Sequence, residues 1–492
     1  MTTSATLSPT PPETPARLKP KPTSLRQAWP AIFGLCLTMM VEMLDNSILN
    51  VALPTIGRDL HATATDLQRF VGAYSLTFGG LLMVGGTLGD KFGRRRTLLF
   101  GLALFGLAGL SVIFVTTPEG LIAVRAISGI FAAAIAPLTM SLVFRLFDDA
   151  ALRTRAIGLI VTISMIGFAV GPTLSGIAIE HFDWKFLLIL NGPMAFIAWI
   201  GVRWGVEKDD SADLRAGGSD ISGAILSVAA LGLILYSFTM GAEEGWLSLN
   251  TISIAGAGIC SLIAFIIRER LAADPMLDMK LFSKPEVRGS AILQMSAMLS
   301  MVGVMFASSQ LFQYAWGWQP WKAGLANLPF VIGMLLARPL VESLVKKLGH
   351  AKASAVAILA ILLSLGLWVI ALHTGYLAAA LGMLLMTMGN RLIMTTGAVA
   401  LISALPEDQT SIGSALNDTV QELGNAVGVA IVGTIIAVVV GSQLPQGAWD
   451  AHTISQFVDS QTIAFTILTA ALVILGIMGV RTLSNSTEVD DH

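Results

Sequence analysis

Residues 86–101 read GTLGDKFGRRRTLLFG and form a short basic turn between two long apolar runs. Asp90 ends the first run, Gly93 allows the chain to turn, and the arginines that begin at Arg94 are typical of the basic side of a membrane protein. The stretch therefore predicts two antiparallel membrane helices that are joined at one membrane surface.

The composition around this turn is that of a membrane protein. Of the 492 residues, 54% are hydrophobic and 13% are charged, against about 25% charged in soluble domains. The net charge of −2 gives no basis for nucleic-acid binding, and two cysteines build neither a disulfide framework nor a zinc site. A helix crosses a bilayer with about 20 apolar residues. Fourteen such runs predict an all-α integral membrane protein: 29–53, 66–89, 97–116, 119–144, 155–180, 184–204, 220–240, 251–268, 288–312, 323–344, 352–372, 377–402, 413–440 and 461–481.

Lys and Arg are distributed unevenly between the two sets of loops. They accumulate on the cytoplasmic side of membrane proteins. With a cytoplasmic N-terminus, 23 of the thirty Lys and Arg residues fall in cytoplasmic segments. This predicts a multi-pass protein of the plasma membrane, in bacteria the inner membrane, with both termini in the cytoplasm. The exceptions are four in the opposite loops (Arg58, Arg69, Lys185 and Lys322) and three within spans (Arg125, Arg338 and Arg391).

A weak internal repeat divides the spans into two halves. Residues 345–355 read VKKLGHAKASA and share a Lys, an apolar residue, a Gly and basic character with the turn at 86–101. This pairing predicts two six-helix bundles with two helices inserted between them, the parallel-repeat plan of many transporters. The predicted segments are a disordered tail at 1–28, a first bundle at 29–204, a linker with two extra spans at 205–287, a second bundle at 288–481 and a tail at 482–492.

Four motifs carry a family resemblance. The turn matches the pattern G-x-L-x-D-K-x-G-R-R between the second and third spans, and it resembles the signature loop of the major facilitator superfamily. LIAVRAISGIFAAA at 121–134 resembles the fourth-helix motif of that superfamily, with Arg125 inside the span. LDNSILNVALP at 44–54 resembles the first-helix motif of its fourteen-helix drug:proton antiporters, the type that exports quaternary ammonium compounds and multiple drugs.

The fifth span carries the remaining motif. GFAVGPTLSG at 167–176 resembles the antiporter motif of the same family and departs from it at Ser175, where glycine is usual. The small residues also predict close helix packing, and a proline in a span removes one backbone hydrogen bond. The residues that match this motif are Gly167, Gly171, Pro172 and Gly176.

The resemblance implies a proton-coupled antiporter that exports hydrophobic, cationic drugs or toxic compounds by alternating access, and that works as a monomer. The chain has no G-x-x-x-x-G-K-[ST] phosphate loop and no spacing typical of a metal site, so we expect neither an enzyme nor a bound cofactor or metal. Two alternatives stay open. One is an exporter dedicated to a single endogenous metabolite or antibiotic, and the other is a membrane scaffold or sensor that transports nothing.

Two acids interrupt the first span. Glu42 and Asp45 are three residues apart and therefore share one helix face. A charge at mid-membrane costs at least about 2.5–3.5 kcal/mol, so such groups are kept where they pair or function. Arg125 lies at a comparable depth in the fourth span. We predict that these three residues form a proton-coupling site, against the simpler interpretation of a static ion pair between the two helices.

The thirteenth span carries a second acidic pair. Asp418 and Glu422 are four residues apart, and acids at this place resemble those of exporters that handle lipophilic cations. Together with Asp45 they are predicted to bind substrate, although Asp418 could simply be hydrated near the cytoplasmic end. Arg391 is expected to pair with Glu422. In the tenth span, Arg338 and Glu342 are expected to form a local salt bridge.

The basic turn is predicted to serve the conformational switch rather than ligand binding. Gly86 and Gly89 would allow a close approach to another helix, Gly93 would form the turn, and Arg94 would face the cytoplasm. Asp90 is expected to meet the positive N-terminal end of the thirteenth span.

Overall fold

The computed structural model describes residues 22–209, 221–272, 275, 279–403, 410–441, 444 and 449–489. Most of the predicted tail at 1–28, part of the predicted linker and the last three residues lie outside these ranges. Within them the regular structure is helical, and no strand occurs. The helices are α1 (Trp29–Asp59), α2 (Ala64–Phe92), α3 (Arg94–Ser111), α4 (Pro118–Leu146), α5 (Ala150–His181), α6 (Lys185–Ile189), α7 (Asn191–Gly205), α8 (Ile221–Glu244), α9 (Leu249–Leu271), α10 (Pro285–Gln310), α11 (Pro320–Leu325), α12 (Leu328–Thr374), α13 (Tyr376–Ser403), α14 (Thr410–Val439) and α15 (Ala451–Val489).

The predicted number of spans is confirmed. Thirteen helices of the described chain are long and apolar enough to cross a membrane, and α2, which is bent by 51° near Leu82, makes a fourteenth. The long α12 contains parts of two spans, because Gly349 adopts a positive φ of 73° and breaks it. The protein is therefore a multi-pass, all-α membrane protein.

Several helices begin where local chemistry satisfies their first N–H groups. Before α2, Thr63 accepts from the backbone of Asp66 while the Asp66 carboxylate accepts from the backbone of Thr63, which is a capping box. Thr117 caps α4, whose first residue is Pro118, and Asp149 caps α5. These caps fix the points at which successive spans enter the bundle.

Packing separates the spans into two groups. In the first, α1 packs against α5 and α7, while α4 packs against α2 and α3. In the second, α10 packs against α13, α14 and α15, and α12 packs against α13 and α15. The groups meet where α14 lies along α2 and where α11 lies against α5. The inserted helices α8 and α9 pack against each other, and α8 also contacts both α2 and α14.

Candidate functional site

A buried ion pair joins α1 to α4 at the middle of α1. Asp45 stands near the centre of α1, because this helix continues through Pro54 to Asp59 instead of ending at the predicted residue 53. Its Oδ2 atom accepts a hydrogen bond from Arg125 Nη1 at 2.6 Å. The two side chains are 1% and 2% exposed. The structure thus brings these two predicted residues together away from water.

Two groups of α2 hold the Arg125 guanidinium from the other side. Its Nε donates to the backbone carbonyl of Phe70 at 3.2 Å. Its Cζ lies 4.5 Å from the ring centroid of Tyr74, a cation–π distance. A desolvated arginine is therefore supported by a carboxylate, a carbonyl and an aromatic face.

Asn191 completes the surroundings of Asp45 and was not predicted. Its amide Nδ2 donates to Asp45 Oδ1 at 2.5 Å, and the side chain is 3% exposed. The sequence held a usable signal, since this asparagine interrupts the apolar run LLILNGPMAF at 187–196. The same argument that singled out the acids of α1 applies to a buried amide.

Glu42 lies beside this pair without a comparable partner. The side chain is 2% exposed, and neither carboxylate oxygen has a hydrogen-bond partner in the described part of the chain. The charges of Asp45, Asp418 and Glu422 act on Glu42 electrostatically. The acids of α1 and α14 therefore influence one another.

Glu422 is the buried acid that α14 contributes. It is 6% exposed, and its Oε1 atom accepts from Asn425 Nδ2 at 3.0 Å, whereas Oε2 has no partner among the described residues. A methyl group added at Gly79 of α2 would lie 2.8 Å from the Cβ of Glu422, so the glycine permits this approach. Asp418 is half-buried and accepts from Asn417 at 3.1 Å.

The glycines of the fifth-span motif pack against two different partners. A methyl group at Gly167 would lie 2.8 Å from the carbonyl oxygen of Met40, and one at Gly171 would overlap the Ser47 hydroxyl, so both glycines hold α5 against α1. One at Gly176 would overlap the carbonyl oxygen of Pro320 in α11. The motif therefore contacts the first group of helices at one end and the second group at the other.

Pro172 belongs to the second of these contacts. A methyl group at Gly324 of α11 would lie 2.6 Å from the carbonyl oxygen of Pro172, and Thr173 Oγ1 donates to the carbonyl of Gly324 at 3.3 Å. α5 remains one helix through Pro172. Backbone therefore meets backbone where α5 crosses α11.

The basic turn is organised by Asp90 within the turn and by Asp209, which follows α7 in the chain. Arg94 Nε donates to Asp90 Oδ1 at 2.9 Å, within the turn. Gly93 has a positive φ of 99°, as the turn requires. Asp209, which was not predicted, accepts from the backbone nitrogens of Arg95 and Arg96 at 3.2 and 3.1 Å, so it caps the start of α3. It also pairs with Arg145 of α4 at 3.1 Å.

The two glycines that precede this turn behave differently. A methyl group at Gly89 would overlap the side chain of Leu138 in α4, which confirms the predicted close packing there. One at Gly86 would meet open space, so the prediction of a close approach at Gly86 is wrong. These positions are three residues apart and lie on nearly the same side of α2, so the difference arises because α4 packs closely against α2 at Gly89 and no neighbour does so at Gly86.

The remaining arginine predictions have mixed outcomes. Arg391 Nη1 lies 3.0 Å from the sulfur of Met165 on α5, and its pairing with Glu422 stays a prediction. The side chains of Arg338 and Glu342 lie outside the described residues, as do those at the beginning of α14, where Asp90 was expected to dock.

Comparison with known proteins identifies the fold that these helices form. A sequence profile of the Major Facilitator Superfamily matches residues 35–429, from α1 into α14. The chain belongs to the major facilitator superfamily. That assignment agrees with the all-α architecture, with the two groups of spans and with the Asp45–Arg125 pair between the first and fourth spans.

Relatives place this superfamily member among the drug-efflux proteins. The multidrug efflux pump LfrA of Mycolicibacterium smegmatis is 30% identical over 83% of this chain and 81% of its own. The cephamycin export protein CmcT of Amycolatopsis lactamdurans is 31% identical over 82% of this chain and 84% of its own.

A solved structure shows the same fold. The bacterial homolog of the human lysosomal transporter Spinster, in an inward-facing and unoccupied conformation, has a TM-score of 0.66 and 12% sequence identity to this superfamily member. The alignment covers 93% of this chain and 97% of the homolog.

Proposed function

We propose that this chain is a proton-coupled antiporter that exports hydrophobic, cationic drugs or toxic compounds across the plasma membrane by alternating access. One observation carries the proposal. The acids Glu42, Asp45 and Glu422 are all buried, and among the described residues Arg125 forms an ion pair with Asp45 alone.

The charges of this region favour an exchange mechanism. A buried carboxylate must be neutralised by a proton, by a paired cation or by a cationic ligand, because ionised groups are expensive in a low dielectric. The unpartnered oxygens of Glu42 and Glu422 are available for either a proton or a ligand. If a proton and a cationic ligand neutralise the same acids, the proton must leave before the ligand binds, and the ligand must leave before the proton returns. Such alternating occupancy is what an antiporter requires.

The ion pair supports a proton-coupling role for Asp45. When Asp45 takes up a proton, its attraction for Arg125 weakens and the link between α1 and α4 loosens. When the proton leaves, the pair forms again at 2.6 Å. Glu42, one turn away, completes the site. Occupancy by a proton is thereby converted into a change in helix packing.

Glu422, Asp418 and Asp45 are assigned to substrate binding. A fixed anion attracts an organic cation strongly where water is excluded, and apolar walls hold the rest of the molecule. The structure offers such apolar side chains in a small cavity between α5, α10, α12 and α13, whose lining includes Phe168, Met301, Met305, Phe330 and Met334.

The turn and the fifth-span motif are assigned to the conformational change. Gly86, Asp90, Gly93 and Arg94 lie at the end of α2 that faces the cytoplasm in the predicted orientation. Gly167, Gly171, Pro172 and Gly176 lie where α5 meets its two partners. Rocking of one half against the other has to break or remake these contacts.

The remaining parts of the proposal follow from the sequence. Both termini are cytoplasmic, the bundles span 29–204 and 288–481, and the inserted pair lies within 205–287. One copy of the chain contains both bundles and the acids between them, and we therefore propose a functional monomer.

A second candidate is an exporter dedicated to one antibiotic. The relative named for cephamycin export favours it, since a protein of similar length and 31% identity carries the name of a single compound. The two candidates differ in breadth of substrate and share the proton site.

Efflux from proteoliposomes tests the proposal. The purified full-length chain is reconstituted, the vesicles are loaded with ethidium, and release is recorded with and without a pH gradient. Release that depends on the gradient, and that structurally unrelated cations inhibit, is expected of a multidrug antiporter. Release that does not respond to the gradient contradicts proton coupling, and response to only one antibiotic class favours the dedicated exporter.

A further inference from the structure

The carboxylate of Asp45 uses both of its oxygens. Oδ2 accepts from Arg125 Nη1 at 2.6 Å, and Oδ1 accepts from Asn191 Nδ2 at 2.5 Å. The three side chains are between 1% and 3% exposed, so water does not compete for these bonds. Hydrogen bonds to an ionised acceptor are about twice as strong as neutral ones. Asn191 is therefore a substantial part of what holds the carboxylate in place.

Close helix packing fixes the position of Asn191. It is the first residue of α7, directly after the break that follows α6. A methyl group at Gly109 of α3 would lie 2.8 Å from the carbonyl oxygen of Leu188 and 3.0 Å from the Cβ of Asn191. Further along, one at Gly34 of α1 would lie 2.5 Å from the backbone nitrogen of Val202. Glycines on α1 and α3 thus let both helices press against α7 and set the distance from Asn191 to Asp45.

The amide of Asn191 can serve both protonation states of Asp45. Its Nδ2 group donates to the carboxylate, while its Oδ1 atom is buried and has no partner among the described residues. A carboxylate accepts hydrogen bonds, whereas a carboxylic acid also donates one. Rotation of the amide by half a turn would bring the unpartnered oxygen to an Asp45 that carries a proton.

We propose that Asn191 is a positioning residue for the proton site. Its Nδ2 group holds ionised Asp45 on Arg125, and its Oδ1 atom accepts the hydroxyl of Asp45 after proton uptake. The proton comes from water on one side of the membrane and returns to water on the other, and no other bond is made or broken. The inference rests on the proposed function, in which Asp45 takes up the proton.

Of the described residues that are hydrogen-bonded to Asp45, only Asn191 offers this exchange. Glu42 lies on the same helix and is itself a carboxylate. Arg125 on α4 only donates. Tyr74 on α2 faces the guanidinium with its ring, and α5 approaches α1 through glycines. α7 supplies the neutral amide that both donates and accepts.

Infrared difference spectroscopy of the full-length protein in lipid tests the inference. Spectra at high and low pH show carboxylate and carboxylic-acid bands, and the bands of Asp45 are those that disappear in Asp45→Asn. Asn191→Leu keeps the branched shape, is somewhat larger and has no polar atom, so we expect it to displace both bands. We expect proton-driven ethidium efflux to fall about tenfold, while efflux down the dye's own gradient keeps its rate. Asn191→Gln keeps the amide and should partly restore both readouts.

Asn50→Leu is the matched control. Asn50 is 6% exposed on the same helix as Asp45, and its amide donates to the backbone carbonyl of Asn46 at 3.4 Å. This variant should leave the bands of Asp45 in place. If Asn191→Leu does not fold, Asn191→Ser, whose shorter hydroxyl does not reach Asp45, must give the same displacement.

The outcomes separate the inference from the proposed function. Wild-type bands in the Asn191 variants overturn the positioning role alone. Displaced bands with unchanged proton-driven efflux also overturn it. If the titrating bands persist in Asp45→Asn, Asp45 is not the proton site, and both this inference and the proposed coupling mechanism fail.

Discussion

Asp45 in the first half and Glu422 in the second are both buried acids near the middle of their helices, yet their surroundings differ. Asp45 is bonded to an arginine at 2.6 Å and to an amide at 2.5 Å. Glu422 has one amide bond, at 3.0 Å, and one oxygen without a partner in the described chain. Arg125 of α4 balances the charge of Asp45. None of the described hydrogen bonds or ion pairs of Glu422 brings a positive charge to it.

The difference indicates two kinds of task. Protonation of a paired acid can change the helix packing, because a proton that neutralises the acid also releases its arginine. An incompletely paired acid can select for cationic ligands, because a cation that binds beside it supplies the missing positive charge. Glu42, one turn from Asp45, has no hydrogen-bond partner for either oxygen among the described residues, and the charges of both Asp45 and Glu422 act on it. Four substitutions can break or sharpen this contrast.

Asp45→Asn should have the largest effect. The amide keeps the shape of the side chain but can neither take up nor release the proton, and Arg125 loses the charge of its partner. We expect proton-driven efflux from proteoliposomes to fall to the level of empty vesicles, while the protein still folds into the membrane. Asp59→Asn, at the end of the same helix, is the control and should keep its rate. Wild-type efflux in Asp45→Asn would remove Asp45 from coupling.

Glu422→Gln should act selectively. Removing the fixed charge weakens binding of cations in a low dielectric and changes nothing for neutral ligands. We expect efflux of monocationic and dicationic dyes to fall about tenfold, a loss of about 1.4 kcal/mol, while neutral hydrophobic substrates keep most of their rate. A panel of dyes in one vesicle preparation measures this, with Glu119→Gln, an exposed acid, as control. Equal losses for charged and neutral compounds would reassign Glu422 to coupling or to structure.

Glu42→Gln should separate transport from stability. Neither oxygen of Glu42 has a hydrogen bond to lose, so the unfolding midpoint in detergent should stay near the wild-type value or rise. Efflux should drop several-fold, because one of the acids that exchange a proton or a cation is gone. A strongly destabilised variant would show that Glu42 has a structural partner in the protein.

Asp90→Asn should have the smallest effect on binding. The Asp90–Arg94 pair is about one-third exposed, and pairs of this kind contribute about 0.3–0.5 kcal/mol. We expect turnover to slow several-fold with little change in equilibrium dye binding. A binding titration beside an efflux time course distinguishes these quantities. A large loss of affinity would connect the turn to the ligand site and contradict its role in switching.

Hydropathy and charge alone predicted the number of spans, because a helix in lipid must satisfy its own backbone and be about 20 residues long. The buried acids were found for a related reason, since a carboxylate at mid-span is costly and therefore conspicuous. The pairing of Asp45 with Arg125 was also within reach, because there are few basic residues inside the spans.

What the sequence could not supply is the place along a helix where another helix packs closely. Gly86 and Gly89 look alike, yet only Gly89 faces a neighbour. Asn191 and Asp209 lie far along the chain from Asp45 and from the turn that they complete, so no local spacing connects them. Such contacts are fixed by the way whole helices cross, and a periodic pattern within one helix does not contain that information.

The contact between Gly176 and α11 involves the backbone and is independent of the side chains that are proposed to bind substrate. Main chain touches main chain there, and the added methyl group of an alanine would already overlap the carbonyl oxygen of Pro320. None of the side chains proposed to bind substrate takes part in this contact. Under the proposed mechanism, substitutions at the substrate-binding residues can therefore change which compounds are exported while this contact between α5 and α11 stays the same.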